Sequence, residues 1–479
     1  MSANTRARAA SVTTEGGRTL TMGSSGPATT TSGAPDDQLH LRRLDLAAVA
    51  AGDPEANREY VALVRRGAVP DQAVRDSARQ TLAAVRAGGD AAVLAANLAF
   101  GGGRPDGRLL IDPDELRVAR DRLEPRIRRA LDQAIANVRR FAATQRPIST
   151  TTTIAPGIEI ERRWSPLSRV GAYVPGGSAP YPSSLIMTVV PAQVAGVGSI
   201  VVASPADRDG TTNPVLLGAA GLLEVDAFIV AGGAQAIGAL AYGLPGVGLQ
   251  PVDRIVGPGN AWVTAAKIEV VGEIGIDLPA GPSEGMVLAA PPAEPTRVAA
   301  DLITQAEHGP DSPAILVTTD FDFADAVEAA VNGLLTEAAR HDILGAALRD
   351  HGRIALAPSL DAAVAFVNDY APEHLSVDVE PLEQTVERLV NAGSIFAGPW
   401  APESAGDYAT GANHVLPTGG LARASGALAV ETYGKFTQIQ RVTREGLAGI
   451  RETIGTLAEA EGLLAHREAV EIRFRSDDR

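Results

Sequence analysis

The chain contains no cysteine in its 479 residues. This absence excludes disulfide bonds, metal sites built on thiolates, and catalysis by a thiol nucleophile. Any metal must therefore be held by nitrogen and oxygen atoms. Zinc suits such a site, and manganese and iron remain open as alternatives.

Clustered positive charge and long membrane-spanning runs are lacking as well. The net charge is -15, whereas a nucleic-acid partner requires clustered Lys and Arg. The two longest uncharged runs, 171–206 and 227–252, are broken by Gly and Pro. Neither holds about 20 consecutive strongly apolar residues, so buried strands and helices explain them better than a membrane span. We expect a cytoplasmic protein with no nucleic-acid or membrane partner.

The first 37 residues are rich in Ser, Thr, Gly and Ala and predict a disordered tail. Their Arg and Ser content resembles that of a transit peptide, but we expect no secretory signal because an apolar h-region is missing. The remaining chain has ordinary globular composition and is long enough for two to four domains.

Short apolar strands alternate with helices from about residue 169 onward. "GSIVVASP" and "AFIVAGG" are strand-like, "PVLLGAAGLLEV" is helical, and the alternation resumes at "GMVLAAP". This pattern is typical of parallel, doubly wound sheets. The predicted fold class is α/β, with two Rossmann-like doubly wound parallel-sheet domains and small helical segments at both ends.

Three glycine-rich stretches follow predicted strands, at 173–184, 231–238 and 257–263. Open α/β sheets bind ligands beyond the carboxyl ends of their strands, where glycine lets a phosphate approach the backbone. The fingerprint G-x-G-x-x-G is absent from the chain, so nucleotide binding and plain tight turns are both compatible with these stretches. The polar side chains best placed to assist binding are Tyr173, Gln235 and Asn260.

Four of the seven histidines, His308, His374, His414 and His466, lie among acids, amides or glycines. One such histidine is more often structural than functional, but four in a chain without cysteine favour a metal or acid–base site.

In "DLITQAEHGPD", Gln305 and His308 are three residues apart on the last turn of a predicted helix. A helix C-terminus attracts cations, so this pair could bind a metal, although Glu307 is the more obvious carboxylate. The alternative is a hydrogen-bonded helix end. In "DYAPEHL", Glu373 and His374 suit proton transfer, or else form a polar helix cap.

In "ESAGDYATGANH", Asp407 and His414 lie on a predicted loop of small residues that can converge on a site or remain a surface loop. In the last predicted helix, Glu461 and His466 are five residues apart, which separates them by about 140° on a straight helix. Both can serve one site only if Gly462 disturbs the helix or the site meets the helix tip.

The ordered motifs of residues 40–475 resemble the histidinol dehydrogenase family. The motifs are "YVPGGSAPYPSS", "GGAQAIGALAYG", "GPGNAWVT", "DLPAGPSE", "QAEHGPDS", "YAPEHL", "NAGSIF", "PESAGDYATGANHVLPT" and "EAEGLLAHREAV". Two departures are the N-terminal tail and a slightly short segment before "DLPAGPSE".

The resemblance implies oxidation of L-histidinol to L-histidine through the aldehyde, with NAD reduced twice at one zinc site. It assigns NAD binding to Tyr173, Gln235 and Asn260, and acid–base chemistry to Glu373 and His374. Zinc ligands would be Gln305, His308, Asp407 and His466. Substrate contacts would come from Ser283, Gln305, His308, His374, Asp407, His414, Glu461 and His466. It also implies an intertwined homodimer in which the C-terminal segment reaches the partner's site. Glu461 and His466 would then not need to share a helix face with residues of their own subunit.

The resemblance and the pattern together predict five divisions. They are a tail at 1–37, an N-terminal helical segment at 38–70, a discontinuous first α/β domain at 71–172 and 283–428, a second α/β domain on the NAD side at 173–282, and a C-terminal helical segment at 429–479 that reaches the partner.

Three other functions fit the sequence less well than this one. A related zinc and NAD dehydrogenase acting on a sulfonated alcohol fits less well, because Glu461 suits an amino group better than a sulfonate. A zinc hydrolase would have no use for the glycine-rich turns after the strands. A non-catalytic ligand-binding protein would be favoured by a secretory signal.

Overall fold

A computed structural model describes residues 38–176 and 181–475. The predicted tail at 1–37 and residues 177–180 of the first glycine-rich stretch lie outside the described residues. The strands are β1 (Arg42–Asp45), β2 (Leu110–Ile111), β3 (Thr150–Ala155), β4 (Ile158–Pro166), β5 (Arg169–Tyr173), β6 (Ser199–Ser204), β7 (Ala227–Val230), β8 (Arg254–Val256), β9 (Gly275–Ile276), β10 (Gly285–Ala289), β11 (Ala314–Thr318), β12 (Arg353–Leu356), β13 (His374–Asp378), β14 (Ser394–Ala397) and β15 (Gly434–Val442).

The helices alternate with these strands over most of the chain. They are α1 (Leu46–Ala50), α2 (Pro54–Val64), α3 (Gln72–Phe100), α4 (Pro113–Asp121), α5 (Pro125–Ala143), α6 (Pro182–Ala195), α7 (Pro214–Leu222), α8 (Gly233–Tyr242), α9 (Ala261–Glu269), α10 (Pro295–Ala306), α11 (Phe321–Glu337), α12 (His341–His351), α13 (Leu360–Tyr370), α14 (Leu382–Val386), α15 (Glu403–Tyr408), α16 (Arg444–Ala460) and α17 (Leu464–Glu471). Many begin with proline at the first turn, where its missing N–H removes no helical hydrogen bond.

Two six-stranded sheets dominate the fold and share one strand order. The first sheet runs β1-β12-β11-β10-β13-β14 and is parallel throughout. The second runs β2-β7-β6-β5-β8-β9 and is parallel except at β2. In each sheet, three consecutive strands run from the centre toward one edge, as β10, β11 and β12 do in the first sheet and β5, β6 and β7 in the second. The next strand, β13 or β8, then pairs with the opposite side of the central strand. This produces a topological switch point between β10 and β13 and another between β5 and β8.

Helices cover both faces of each sheet because successive strand residues point to opposite sides. In β6, Ile200 and Val202 belong to one apolar core, whereas Val201 and Ala203 belong to the opposite one. The first sheet repeats this arrangement with its own pair of cores. The uncharged runs 171–206 and 227–252 therefore supply buried strands and helices, and the predicted α/β class with Rossmann-like parallel sheets is confirmed.

A third, antiparallel sheet of order β15-β4-β3 differs from the other two. All of β3 except its last residue is exposed, and most of β15 is exposed or half-buried. The α16–α17 pair follows β15 directly. These elements form the C-terminal arm, defined here as residues 434–475.

The strand pairing corrects the predicted grouping of residues. The grouping joined 71–172 to 283–428, but β2 pairs with β7 and β5 pairs with β6 and β8, all in the second sheet. Helix α3 packs against α8 and α9 on that sheet because Ala78, Leu82 and Val85 bury their apolar stripe there.

Both terminal segments also contain strands that were predicted to be helical. Residues 38–70 supply β1 at the edge of the first sheet, and residues 429–479 include the nine-residue β15. Neither strand has a buried apolar run, because each lies at a sheet edge.

One helix in the described ranges, α3, is long and apolar enough by length and composition to cross a membrane. Long helices of soluble proteins pass the same test, and α3 carries a non-helical residue at Gly89 with φ 52°.

Candidate active site

The carboxyl ends of β5, β6, β7 and β8 surround a large cleft at the switch point of the second sheet. Its volume is about 1070 Å³, and Tyr173, Gln235 and Asn260 all line it. The Tyr173 hydroxyl accepts a hydrogen bond from the Gly233 amide at 3.3 Å, and burial raises the pKa of Tyr173 to about 12. The structure thus brings the three predicted NAD residues into one cleft.

Gln235 and Asn260 occupy opposite environments in this cleft. Gln235 is buried in α8, where its side-chain amide donates to Asn97 Oδ1 at 3.2 Å. Asn97 in turn donates to the Val230 carbonyl at 3.1 Å, which ties α3 to β7. Asn260 is exposed and caps α9 by accepting from the Val263 amide at 3.1 Å.

A second group of side chains lies at the amino ends of the first sheet. Glu373 immediately precedes β13, and His374 is its first residue. Glu373 Oε2 accepts hydrogen bonds from Ser283 Oγ at 2.8 Å and from the Glu284 amide at 2.9 Å. Burial raises the pKa of Glu373 well above its usual range, while these two donors oppose the rise.

His374 is buried among carboxylates. Its Nδ1 lies 3.8 Å from Glu373 Oε2 and 3.9 Å from Glu403 Oε1, and its Nε2 lies 3.9 Å from Asp407 Oδ1. Neither ring nitrogen has a hydrogen-bond partner among the described residues. Burial, together with neighbouring imidazoles, lowers the pKa of His374 to about 3, so the ring is neutral and able to accept a proton.

The residues around His308 fit a cation. Ligand atoms of His308, Glu403 and Asp407 all lie within 4.8 Å of one another. The side-chain oxygens Gln305 Oε1 and Glu403 Oε1 are buried without hydrogen-bond partners in the described part of the chain. Buried orphan oxygens beside an imidazole match the nitrogen and oxygen ligands that zinc accepts.

The orientation of α10 explains why Gln305 rather than Glu307 faces this site. Leu302, Gln305 and Ala306 share the buried face of the helix, whereas Glu307 is exposed at its end. The Gln305 amide donates to Ser283 Oγ at 3.3 Å and so lies beside the Glu373 pair.

His414 and Asp407 contact each other at the edge of the cluster. His414 Nδ1 lies 3.0 Å from the Asp407 carbonyl oxygen and 3.9 Å from its Oδ1, and burial lowers the pKa of His414. The predicted loop is wrong for Asp407, which lies on the short helix α15. That helix begins directly after Pro402.

Glu461 and His466 lie apart from this cluster. Gly462, with φ +73°, lies between α16 and α17. The helix is therefore interrupted between Glu461 and His466, which is one of the two conditions under which both residues could serve one site. Both side chains are nevertheless exposed on the C-terminal arm, and neither lines the cavity beside Glu373.

Glu403 was missed by the sequence reasoning. It is 3% exposed and approaches both His308 and His374, at 3.8 and 3.9 Å. The sequence feature that could have identified Glu403 is its spacing from Asp407. The two residues are four apart, which places both carboxylates on one face of a helix.

A cavity of about 570 Å³ joins the two groups of residues. It is lined by Tyr173, Asn260 and Trp262, which also line the cleft of the second sheet, and by His308, Glu373, His374, Asp407 and His414. A cleft at the switch point of a parallel sheet that joins a buried acid–base and metal-type cluster is the arrangement expected of a nicotinamide-dependent oxidoreductase.

The comparisons with known proteins identify the family. The chain belongs to the histidinol dehydrogenase family, whose model matches residues 64–474. It is 46% identical to the histidinol dehydrogenase of Leifsonia xyli subsp. xyli, over 86% of this chain and 95% of that relative. Identity is also 46% with that of Halobacterium salinarum, over 87% and 97%. The crystal structure of histidinol dehydrogenase from Elizabethkingia anophelis matches with a TM-score of 0.84 and 34% identity, covering 92% of this chain and all of that one.

Proposed function

We propose that this protein oxidises L-histidinol to L-histidine through the aldehyde, reducing NAD twice, as the last step of histidine biosynthesis. The observation that carries the proposal is the shared cavity, in which Tyr173 and Asn260 face the same space as Glu373 and His374. Because the two groups share one space, a substrate carbon held by the cluster can approach a nicotinamide in the cleft. We also expect the enzyme to act in the cytoplasm.

The first oxidation requires removal of the hydroxyl proton as hydride leaves the same carbon. His374 suits this step because its neutral ring has both nitrogens free of hydrogen-bond partners among the described residues. The imidazolium that forms would be stabilised by the carboxylates of Glu373, Glu403 and Asp407, all 3.8 to 3.9 Å away.

The second oxidation must proceed without a thioester, because the chain has no cysteine. The aldehyde is instead hydrated, and Glu373 is the proposed base for the attacking water. Burial raises the pKa of Glu373, which makes its carboxylate a stronger base than an exposed one. Ser283 and the Glu284 amide hold one carboxylate oxygen, which leaves the other for water.

We assign zinc to Gln305, His308 and Asp407 of one protomer, with a fourth ligand from His466 of the partner subunit. When bound, zinc would orient the imidazole and amine of the substrate and lower the pKa of its hydroxyl. Ser283 and His414 are proposed substrate contacts, and Glu461 would pair with the substrate amino group. Tyr173, Gln235 and Asn260 are the proposed NAD contacts.

The primary experiment counts NADH formed from limiting L-histidinol with excess NAD and zinc-loaded protein. We expect about two NADH per histidinol, falling to about one in Glu373→Gln as aldehyde accumulates. Glu307→Gln is the matched control, since Glu307 is exposed near the same site. About one NADH from the unmodified protein would indicate a simple alcohol dehydrogenase, and none would favour a zinc hydrolase.

The proposal includes a homodimer, supported by the C-terminal arm. The third sheet is largely exposed, and Leu457, Leu463, Leu464 and Ile472 on the arm are 44% to 61% exposed. Such an arm needs a partner surface, and a second copy of the chain supplies one while completing the ligand set.

Complementation tests the shared site. Asp407→Asn and His466→Asn should each be inactive, whereas a reassociated mixture should regain about a quarter of the unmodified activity. Half of the dimers are then mixed, and each of these has one intact site. If activity is absent from the mixture although mixed dimers form, both residues serve the same subunit's site.

A further inference from the structure

A buried ion pair surrounds one glycine at the edge of the dinucleotide cleft. Lys267 of α9 is 1% exposed, and its Nζ lies 2.5 Å from Asp277 Oδ1. The same Nζ donates to the Gly257 carbonyl at 2.8 Å, while Asp277 Oδ2 accepts from the Gly257 amide at 2.7 Å. Both backbone polar groups of Gly257 are thus held by the two members of one ion pair.

Gly257 lies where three loops of the cleft meet. It follows β8, and its φ of +111° favours glycine. A Cβ at this position would lie 2.1 Å from the Tyr173 carbonyl oxygen, so the two backbones touch across the switch point. The Tyr173 hydroxyl contacts the Gly233 amide after β7, and Asn260 follows Gly257 by three residues.

Stability alone does not account for this pair. Removing two charges from water carries a desolvation penalty that the mutual attraction often only balances, and apolar replacements of such pairs are frequently neutral or stabilising. What Lys267 and Asp277 provide in addition is directional: they fix the peptide units on both sides of Gly257, and with them the start of the Pro258-Gly259-Asn260 turn.

We propose that Lys267 and Asp277 are positioning residues for the dinucleotide, which hold Gly257 against Tyr173 and thereby set the width of the cleft. The inference rests on the proposed function only in taking the cleft as the NAD site. A dinucleotide that meets preformed walls loses less ordering free energy on binding than one that must order the loop.

Three variants separate positioning from stability. Lys267→Met removes the only cation in direct contact with Asp277 among the described residues, so it should lose both thermal stability and affinity for NADH. Lys267→Met combined with Asp277→Asn removes both charges and should recover stability, yet it still lacks the bond to the Gly257 carbonyl. Glu269→Gln is the control. Glu269 lies on α9, like Lys267, but it forms ion pairs with Arg75 and Arg79 of α3 and does not contact Gly257.

The measurements are Tm, the Kd of NADH by fluorescence titration, and separate values of kcat and KM. We expect Kd for NADH and KM for NAD to rise about ten-fold in the single and double variants, with KM for histidinol unchanged. Affinity that returns with Tm in the double variant would overturn the proposal. Failure of the unmodified protein to bind NADH would instead contradict the proposed function.

Hydrogen exchange keeps the inference testable if the charge variants do not fold. In the unmodified protein without NAD, the backbone amide of Gly257 should already be strongly protected, and NAD should add little. Rapid exchange at Gly257 that slows only when NAD binds would show that the ion pair does not hold the loop.

Discussion

The two parallel sheets share a strand order but present their chemistry at opposite ends. In the second sheet, Tyr173 is the last residue of β5 and Gly257 follows β8, so the cleft lies at the carboxyl ends. In the first sheet, Ser283 precedes β10, and His374 is the first residue of β13, so the cluster that we propose for catalysis lies at the amino ends. One cavity is lined by residues of both edges.

This difference teaches that topology alone does not locate a site. The carboxyl-end rule for open α/β sheets describes the second sheet and predicts its cleft. In the first sheet, α10 runs back to the amino ends. Gln305 lies on its last turn and His308 follows two residues after its end, so both side chains lie at this edge. A helix C-terminus attracts cations, which suits a metal site, whereas a helix N-terminus suits phosphates.

The largest expected effect separates chemistry from dinucleotide binding. His374→Asn, at the amino end of the first sheet, should lower kcat about 10²–10⁴-fold because the proton acceptor is lost. Its Kd for NADH should stay within about two-fold of the unmodified value, as no contact of the cleft changes. Steady-state kinetics and fluorescence titration measure both quantities.

Asn260→Ser is the matched variant in the cleft. Serine retains the helix cap of α9 but removes the amide, so KM for NAD should rise while the chemical step is spared. If each variant altered kcat and NADH affinity to the same extent, the division of labour between the two sheets would be wrong.

The next largest effect is expected on zinc affinity, in the variant Glu403→Gln. Glu403 is the residue that the sequence analysis did not identify. Its carboxylate oxygen lies 3.8 Å from His308, so its loss should weaken zinc affinity about 10–100-fold. Competition with a chromophoric chelator measures this without turnover. Glu307→Gln, exposed beside His308, is the control, and equal affinities for the two variants would remove Glu403 from the metal environment.

The sequence predicts Tyr173 as a site residue but not Glu403, and the reasons for this difference are physical. Alternating apolar strands and helices predict parallel sheets, because burial on both faces demands continuous apolar runs. Glycine after a strand predicts the cleft of the second sheet. Short edge strands such as β1 and β15 carry no such run, and the proximity of Glu403 to His308 depends on tertiary packing of segments about a hundred residues apart.

Two glycines allow the comparison to be tested by adding a single methyl group to each sheet. A Cβ at Gly285 in β10 would lie 2.6 Å from Gln305 Oε1, so Gly285→Ala should displace that side chain and weaken zinc affinity. Gly257→Ala should instead lower affinity for NADH, because it strains the backbone against Tyr173. We expect about ten-fold in each case, with the other ligand unaffected. Loss of both affinities in either variant would indicate general unfolding, which Tm would detect.

The smallest prediction concerns the carboxyl end of the first sheet, which corresponds to the cleft of the second sheet that we propose for NAD. There Asp301 of α10 lies near Asp378, the last residue of β13, and burial followed by repulsion from Asp378 raises the pKa of Asp301 to about 6. The folded state therefore favours the protonated carboxyl. Relative to an unperturbed aspartate, this stabilisation is present below about pH 4 and is lost as the pH rises through about 6.

Asp301→Asn should therefore raise the free energy of unfolding by about 1–3 kcal/mol at pH 7.5 and by about a third as much at pH 4.5. Urea unfolding of both proteins at the two pH values measures the difference. Asp361→Asn is a suitable control, because Asp361 is exposed and pairs with Arg388 on the surface. A stabilisation of the same size at both pH values would mean that asparagine acts by packing or hydrogen bonding.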